Sequence, residues 1–329
     1  MGGGSWGTTF AQVLCDAGNE TVLWCRRAEV AEAVNTTRRN PDYLPAVELP
    51  GNLRATGDAE QALSRADVVV LAVPAQSLRQ NLTGWTALLR PGAVLVSLMK
   101  GIELDTGQRM SEVIADVAGW PAEQVAVVTG PNLAQEIAQR QYAATVVACS
   151  DTQAAENLQK AFHAGYFRPY TNPDVIGCEL AGAAKNPIAV AVGIAVGMGL
   201  GDNTKAMLIT RGLAEIARLG AALGADQHTF AGLAGMGDLV ATCSSPLSRN
   251  RGFGEKLGQG IRLDDVLAST NQVVEGVTSS KAVLELARKH SVEMPITEVV
   301  AEVVYEGLEI GQAALMLASR SAKPERYGL

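Results

Sequence analysis

Histidine, aromatic residues and net positive charge are all scarce in this sequence. The three histidines, His163, His228 and His290, stand in no context that marks a catalytic base. Aromatics make up 5% of 329 residues while Ala, Val, Leu and Gly dominate, which favours close helix–sheet packing over a sandwich or a disulfide scaffold. A formal net charge of −7 leaves no basic footprint for nucleic acid, so any positive charge that matters is local to a site. The five cysteines, Cys15, Cys25, Cys149, Cys178 and Cys243, are odd in number and form no C-x-x-C pair. They read as reduced, mostly buried thiols rather than as metal ligands. No N-terminal stretch has the form of a signal peptide. The one long apolar run, residues 187–200 (PIAVAVGIAVGMGL), is too short to span a bilayer and rich in glycine, so it predicts a buried core helix. The expectation is a cytoplasmic protein without a membrane span and without a metal.

What is present is an alternation of helical and strand patterns over residues 1–170. Short β-rich runs occur at 21–24 (TVLW), 67–73 (DVVVLAV), 94–98 (VLVSL), 125–129 (VAVVT) and 144–148 (ATVVA). Helical stretches at 28–34 and 77–82 separate the first of them. Strands apolar on both faces and separated by helices predict a parallel sheet covered on both sides, an α/β doubly wound, Rossmann-like domain. After Phe167-Arg168-Pro169-Tyr170 the strand patterns end. Asn172-Pro173-Asp174 offers a helix start with Asn172 as cap. Residues 171–329 then predict an all-helical domain, broken by glycine loops at 197–201 and 232–237 and closed by a polar tail at 321–329.

Gly2, Gly4 and Gly7 fit G-x-G-x-x-G, followed by a helical stretch and then a strand. In that context the first glycine allows a tight turn and the second lets a pyrophosphate approach the backbone. The third permits close packing, and the helix N-terminus receives the negative charge. Only Met1 precedes the turn, so the first strand of such a sheet is missing from this sequence. The expectation is a natural protein that begins several residues upstream with an apolar strand. At the tip of the second strand, Arg26-Arg27 replace the acidic residue that would bond a ribose 2′-hydroxyl. Guanidinium groups there suit a 2′-phosphate or stack on adenine, which favours NADPH without excluding NADH.

Lys100 and the Gly130-Pro131-Asn132 turn each follow a strand, at the edge where open α/β sheets bind ligands. Lys185 sits in Glu179-Leu-Ala-Gly-Ala-Ala-Lys-Asn-Pro, a helix otherwise made of small apolar residues, which Pro187 is expected to break locally. Desolvation and a nearby cation such as Lys100 would poise its amine for general acid–base work. Asp238, after a glycine turn, is either a helix cap or a partner for a lysine or a substrate hydroxyl. Ser248-Arg249-Asn250 groups a hydroxyl, a guanidinium and an amide, which suits a phosphate monoester as well as it suits a capped surface turn.

Nearly the whole chain resembles the bacterial-type NAD(P)-dependent glycerol-3-phosphate dehydrogenases. The resemblance runs through Gly4-Ser-Trp-Gly7, Tyr43-Leu-Pro, Ala72-Val-Pro, Lys100-Gly-Ile-Glu, Gly130-Pro-Asn, Lys185-Asn and Thr210-Arg-Gly-Leu. It continues through Gly237-Asp-Leu, Ser248-Arg-Asn and Glu275-Gly-Val. It implies reduction of dihydroxyacetone phosphate to sn-glycerol 3-phosphate, a step of phospholipid biosynthesis, with NADPH or NADH and in a homodimer. Carried over by position, it implies that Ser5, Trp6, Arg26 and Arg27 contact the dinucleotide. Lys100 would touch both cofactor and substrate, while Gly130 and Asn132 would line the substrate and Ala134 would lie near the cofactor. Lys185 would be the proton donor and acceptor. Asp238, Ser248, Arg249 and Asn250 would hold the substrate and its phosphate, Arg249 also reaching the cofactor, and Val273 and Glu275 would close over the nicotinamide. Two other readings keep the cofactor: a relative acting on a 3-hydroxy acid carboxylate, and a non-enzymatic NAD(P)-sensing protein. The co-occurrence of Lys185, Asp238 and Arg249 argues against the second.

Overall fold

The computed structural model describes residues 1–269, 274–321 and 324–325; Val273 and most of the polar tail lie outside the described residues. The chain forms two compact units, one of residues 1–99 and 110–175, the other of residues 100–109 and 176–329. The division thus falls at 175/176 rather than 170/171, and a ten-residue excursion that carries Lys100 belongs to the second unit.

The first unit holds seven strands: β1 (Val22–Trp24), β2 (Arg54–Thr56), β3 (Val68–Leu71), β4 (Val94–Ser97), β5 (Val125–Thr129), β6 (Ala143–Ala148) and β7 (Phe167–Asn172). They form a parallel pair β1–β2 and a five-stranded sheet in the order β3-β4-β5-β6-β7. Alternate residues of the apolar strands enter opposite layers. Val69, Leu71 and Leu95 pack with Leu78, Leu82 and Met110, whereas Val96, Ala126 and Val128 pack with Phe10, Phe162 and Phe167. Period-two burial on both faces is why these runs lack a polar side.

The sheet is mixed, not all-parallel: β3, β4 and β5 run parallel, β6 pairs antiparallel with β5, and β7 is parallel to β6. The reason is the connection after β5. Its only helix is Ala134–Ala138, five residues and about 7.5 Å long. A strand of that count is about 16 Å long, so the helix cannot carry the chain back along the sheet face. Two strands escape the sequence patterns. β2 has three residues, and β7 carries Pro169 and three exposed residues, Arg168, Tyr170 and Thr171, as an edge strand tolerates.

Between β1 and β3 stand Met1 and Gly2. The Met1 ammonium donates to the Val70 carbonyl (2.6 Å), Ala72 N–H donates to the Met1 carbonyl (2.9 Å), and Gly2 N–H donates to the Trp24 carbonyl (3.1 Å). Two residues thus meet backbone groups of both flanking strands, at the place where a sheet of this kind has its first strand.

The second unit is helical and built around Val175–Gly197. This helix is long and apolar enough to cross a membrane, yet 89% of its most apolar window is buried inside the protein. It starts at Val175, and Asn172, the last residue of β7, accepts the Asp174 N–H (2.8 Å) through its side chain, as an N-cap asparagine does. It also runs unbroken through Pro187, contrary to the expected break, because burial along its length outweighs one lost N–H. Its glycines serve contact with helix Arg249–Gly258: a Cβ on Gly193 would lie 2.1 Å from the Arg251 carbonyl, and one on Gly254 2.1 Å from that of Val190. The expected loop at 232–237 is instead a π-helical turn, Leu233–Gly237, leading directly into helix Asp238–Ser244.

Candidate active site

In the dinucleotide-type unit the glycine turn feeds helix α1 (Ser5–Asp16), with Gly4 as its N-cap and no side chain capping the free N–H groups. The glycines divide by role. A Cβ on Gly2 would lie 2.4 Å from the Ala72 carbonyl, and one on Gly7 2.0 Å from that of Gly2, so both are required by the fold. A Cβ on Gly4 would meet nothing within 4 Å. Open space at an uncapped helix N-terminus fits a pyrophosphate. Trp6 packs edge-on against Phe10 (ring centroids 5.5 Å apart), its indole N–H buried without a protein acceptor. Arg26 is exposed after β1. Arg27 occupies the N-cap position of helix α2 (Ala28–Thr37) without a side-chain capping bond and is ion-paired with Asp42.

At the end of β5, Gly130 takes a φ of 134°, a conformation other residues avoid. Asn132 donates to Thr145 Oγ1 (3.0 Å), which donates to the Thr129 carbonyl (2.8 Å). The Asn132 Oδ1 is buried without a protein donor. Ala134 opens the next helix, and its carbonyl accepts from Thr9 Oγ1 of α1 (3.2 Å).

The second unit brings together Lys100, Lys185 and Asp238, with a fourth residue that the sequence did not single out, Thr242. Lys185 Nζ donates to Asp238 Oδ1 (2.7 Å) and to Thr242 Oγ1 (2.5 Å), and Lys100 Nζ donates to Asp238 Oδ2 (2.5 Å). Asp238 and Lys185 are 2% and 6% exposed. Asp238 caps nothing: as the first residue of its helix, reached through the π-turn, it aims its carboxylate at both lysines. Thr242 follows it by four residues, one helical turn, the only local signal that could have found it. Burial pushes the Lys100 amine down to about 8, Asp238 opposes this and Lys185 adds to it. Two ammonium groups share one carboxylate, so the trio is a buried cluster with surplus positive charge.

Around it, Asn250 receives the Gly276 N–H (2.9 Å) and donates to Asn186 Oδ1 (2.9 Å), bracketing helices Val175–Gly197, Arg249–Gly258 and Glu275–Lys289. Ser248 is buried and caps the Arg249–Gly258 helix by accepting the Arg251 N–H (3.3 Å). The hydroxyl and the amide of the Ser248-Arg249-Asn250 group thus both have structural duties, while Arg249 is exposed. Glu275 opens its helix facing Arg249, Lys100 and Lys185; burial raises its carboxyl and these cations oppose the rise. A further pair missed in the sequence, Arg109–Glu179 (2.8 Å, Glu179 buried), ties the 100–109 excursion to the helix that carries Lys185.

Residues 1–155 match the family model for the NAD-dependent glycerol-3-phosphate dehydrogenase N-terminus, and residues 174–314 match that for the C-terminus. The chain is 63% identical over 330 residues to a glycerol-3-phosphate dehydrogenase (NAD(P)+) of Thermobifida fusca, covering 100% of this chain and 98% of the relative. It is 65% identical over 326 residues to the one from Streptomyces coelicolor, covering 99% and 97%. A crystal structure of glycerol-3-phosphate dehydrogenase from Coxiella burnetii superposes with a TM-score of 0.92 at 36% identity, covering 97% of each chain.

Proposed function

The chain belongs to the NAD-dependent glycerol-3-phosphate dehydrogenase family, and we propose that it reduces dihydroxyacetone phosphate to sn-glycerol 3-phosphate, reversibly, with Lys185 as general acid. The observation that carries the lysine assignment is the buried Lys185–Asp238–Lys100 trio. When bound, a reduced nicotinamide would supply the hydride for the substrate's C2. Lys185, held by Asp238 and Thr242, has one N–H left for the C2 oxygen. As negative charge grows on that oxygen, Lys185 gives up its proton. The carboxylate of Asp238 then remains balanced by Lys100, so the step ends with no uncompensated buried charge. In the reverse direction the neutral amine is the base.

We assign the substrate phosphate to Arg249, supported by its exposure on a helix whose first turn Ser248 and Asn250 keep in place. Lys100, Gly130, Asn132, Asp238, Ser248 and Asn250 are proposed as further substrate contacts. Gly2, Gly4, Ser5, Trp6, Gly7, Arg26, Arg27, Lys100, Ala134, Arg249 and Glu275 are proposed as cofactor contacts, with Arg26-Arg27 favouring NADPH. The five cysteines are buried thiols, which fits a reducing cytoplasm. A homodimer rests on family resemblance, and sedimentation tests it.

The deciding assay follows NADPH and NADH oxidation with dihydroxyacetone phosphate beside unphosphorylated dihydroxyacetone. Turnover of the phosphorylated ketone alone is expected. Lys185→Ala is expected to lower kcat by ~10²–10⁴-fold, and near wild-type kcat would sink the general-acid assignment. Arg249→Ala is expected chiefly to raise KM for the phosphorylated ketone; an unaltered KM contradicts the phosphate assignment.

A further inference from the structure

We propose that the segment from Arg38 to Leu44 is a third element of the dinucleotide site. In it, Asn40 positions the glycine turn and Asp42 competes for the Arg27 guanidinium, which biases the choice between NADPH and NADH. The proposal rests on the cofactor reading of Gly2–Gly7 and Arg26-Arg27.

Asn40 is 0% exposed although Pro41 and Asp42 beside it are exposed. An amide buried in a surface loop is costly where a polar atom goes unused, and the Asn40 Oδ1 has no protein donor, so what holds the side chain in place is the work of its Nδ2. Asn40 Nδ2 donates to the Gly3 carbonyl (2.9 Å) and to Thr8 Oγ1 (2.9 Å). Gly3 immediately precedes the N-cap of α1, and Thr8 closes its first turn, donating its own N–H to the Gly4 carbonyl (2.9 Å). One side chain therefore grips the turn on both sides of Gly4, the glycine with open space. It does so from a fixed backbone: Leu44, 2% exposed, donates its N–H to the Asn40 carbonyl (2.9 Å). Holding the Gly3 carbonyl and the first turn in place keeps the uncapped N–H groups aligned before any anion arrives, which is preorganisation. An aspartate at this position would set an oxygen against the Gly3 carbonyl.

Two residues on, Asp42 is ion-paired with Arg27. A guanidinium pairs with a carboxylate or a phosphate through the same fork, so a 2′-phosphate must compete with Asp42 and approach its negative charge. A 2′-hydroxyl meets neither obstacle. The side chains are 47% and 40% exposed, so the competition is worth a few-fold and is sensitive to salt.

The test is a fluorescence titration of the ligand-free protein with NADPH and with NADH at low ionic strength. It uses wild type, Asn40→Asp, Thr8→Val and Asp42→Asn, with thermal unfolding of each. Asn40→Asp should weaken both cofactors roughly tenfold and leave their ratio within about twofold, since the pyrophosphate is common to both. Thr8→Val, which removes one of the two acceptors, should weaken both about threefold. Asp42→Asn should raise NADPH affinity relative to NADH about threefold, the gain fading at high salt. Wild-type affinities in Asn40→Asp and Thr8→Val would overturn the positioning role, and Thr8→Val decides alone if Asn40→Asp does not fold. An unchanged ratio in Asp42→Asn would overturn the selectivity role. Failure of the wild type to bind either dinucleotide would instead overturn the cofactor reading.

Discussion

Replacing Asp238 with asparagine removes the carboxylate that Lys185 and Lys100 both grip, at 2.7 and 2.5 Å, while keeping its shape. Breaking a buried ion pair from one side costs about 3–5 kcal/mol, and the amide oxygen retains part of one hydrogen bond, so about 3 kcal/mol is expected here. The two ammonium groups then lose the carboxylate that both grip, with Glu275 left as the remaining nearby acid to offset their repulsion, and the cheapest relief is loss of a proton. At 1.36 kcal/mol per unit, about 3 kcal/mol is about two pKa units. The Lys100 amine, already pushed down to about 8 by burial, would fall further. The assay is kcat for dihydroxyacetone phosphate reduction across the pH range in which both proteins stay folded. The alkaline limb of the variant's profile should move about two pH units toward acid, with kcat near neutrality down at least ~10-fold. Its loss of thermal stability should be smallest at high pH, where the lysines are neutral. An alkaline limb that stays in place, in a variant that folds, refutes the shared-carboxylate reasoning.

Gly4→Ala and Gly7→Ala should separate binding from folding. Gly4 has φ −78° and open space for a methyl group, so Tm should hold or rise while NADPH affinity falls; unchanged affinity would contradict the pyrophosphate site. Gly7→Ala puts a Cβ 2.0 Å from the Gly2 carbonyl, so Tm should fall as well. Glu215 is 1% exposed, and burial raises its carboxyl to about 7 against hydrogen bonds from Ile296 N–H, Thr297 N–H and Thr297 Oγ1. A folded-state pKa above the unfolded value contributes stability that is complete below about 4.5 and is lost as pH rises through about 7. Denaturant titrations should show about 3 kcal/mol of this loss, absent in Glu215→Gln. Equal pH slopes in the two proteins would refute it.

The legible parts of the fold are those written in local pattern. Runs such as VVVL and VAVVT are apolar on both faces, and that alone marks covered strands. β2 and β7 were illegible for opposite reasons, one too short to show a period and the other broken by Pro169 at a sheet edge. The direction of β6 was not legible, because it depends on how far a five-residue helix reaches. At the site, Lys185 stands out in sequence among small apolar neighbours, whereas Ser248-Arg249-Asn250 reads equally as a phosphate site or a capped turn. Thr242 and the Arg109–Glu179 pair stayed hidden because a lone threonine, arginine or glutamate has no pattern.

The sequence by itself determined which groups this protein has to work with: a glycine turn with G-x-G-x-x-G spacing, a pair of arginines after β1, and a lysine in a helix of small apolar residues. Each follows from propensity and spacing over a few residues, where the covalent chain enforces proximity. Only the tertiary structure decided which groups meet. Lys185 reaches Asp238 across 53 residues and Thr242 across 57, and Asn40 reaches back 37 residues to Gly3. Those pairings are set by which helices pack and which loops fold over, and no local rule carries that information.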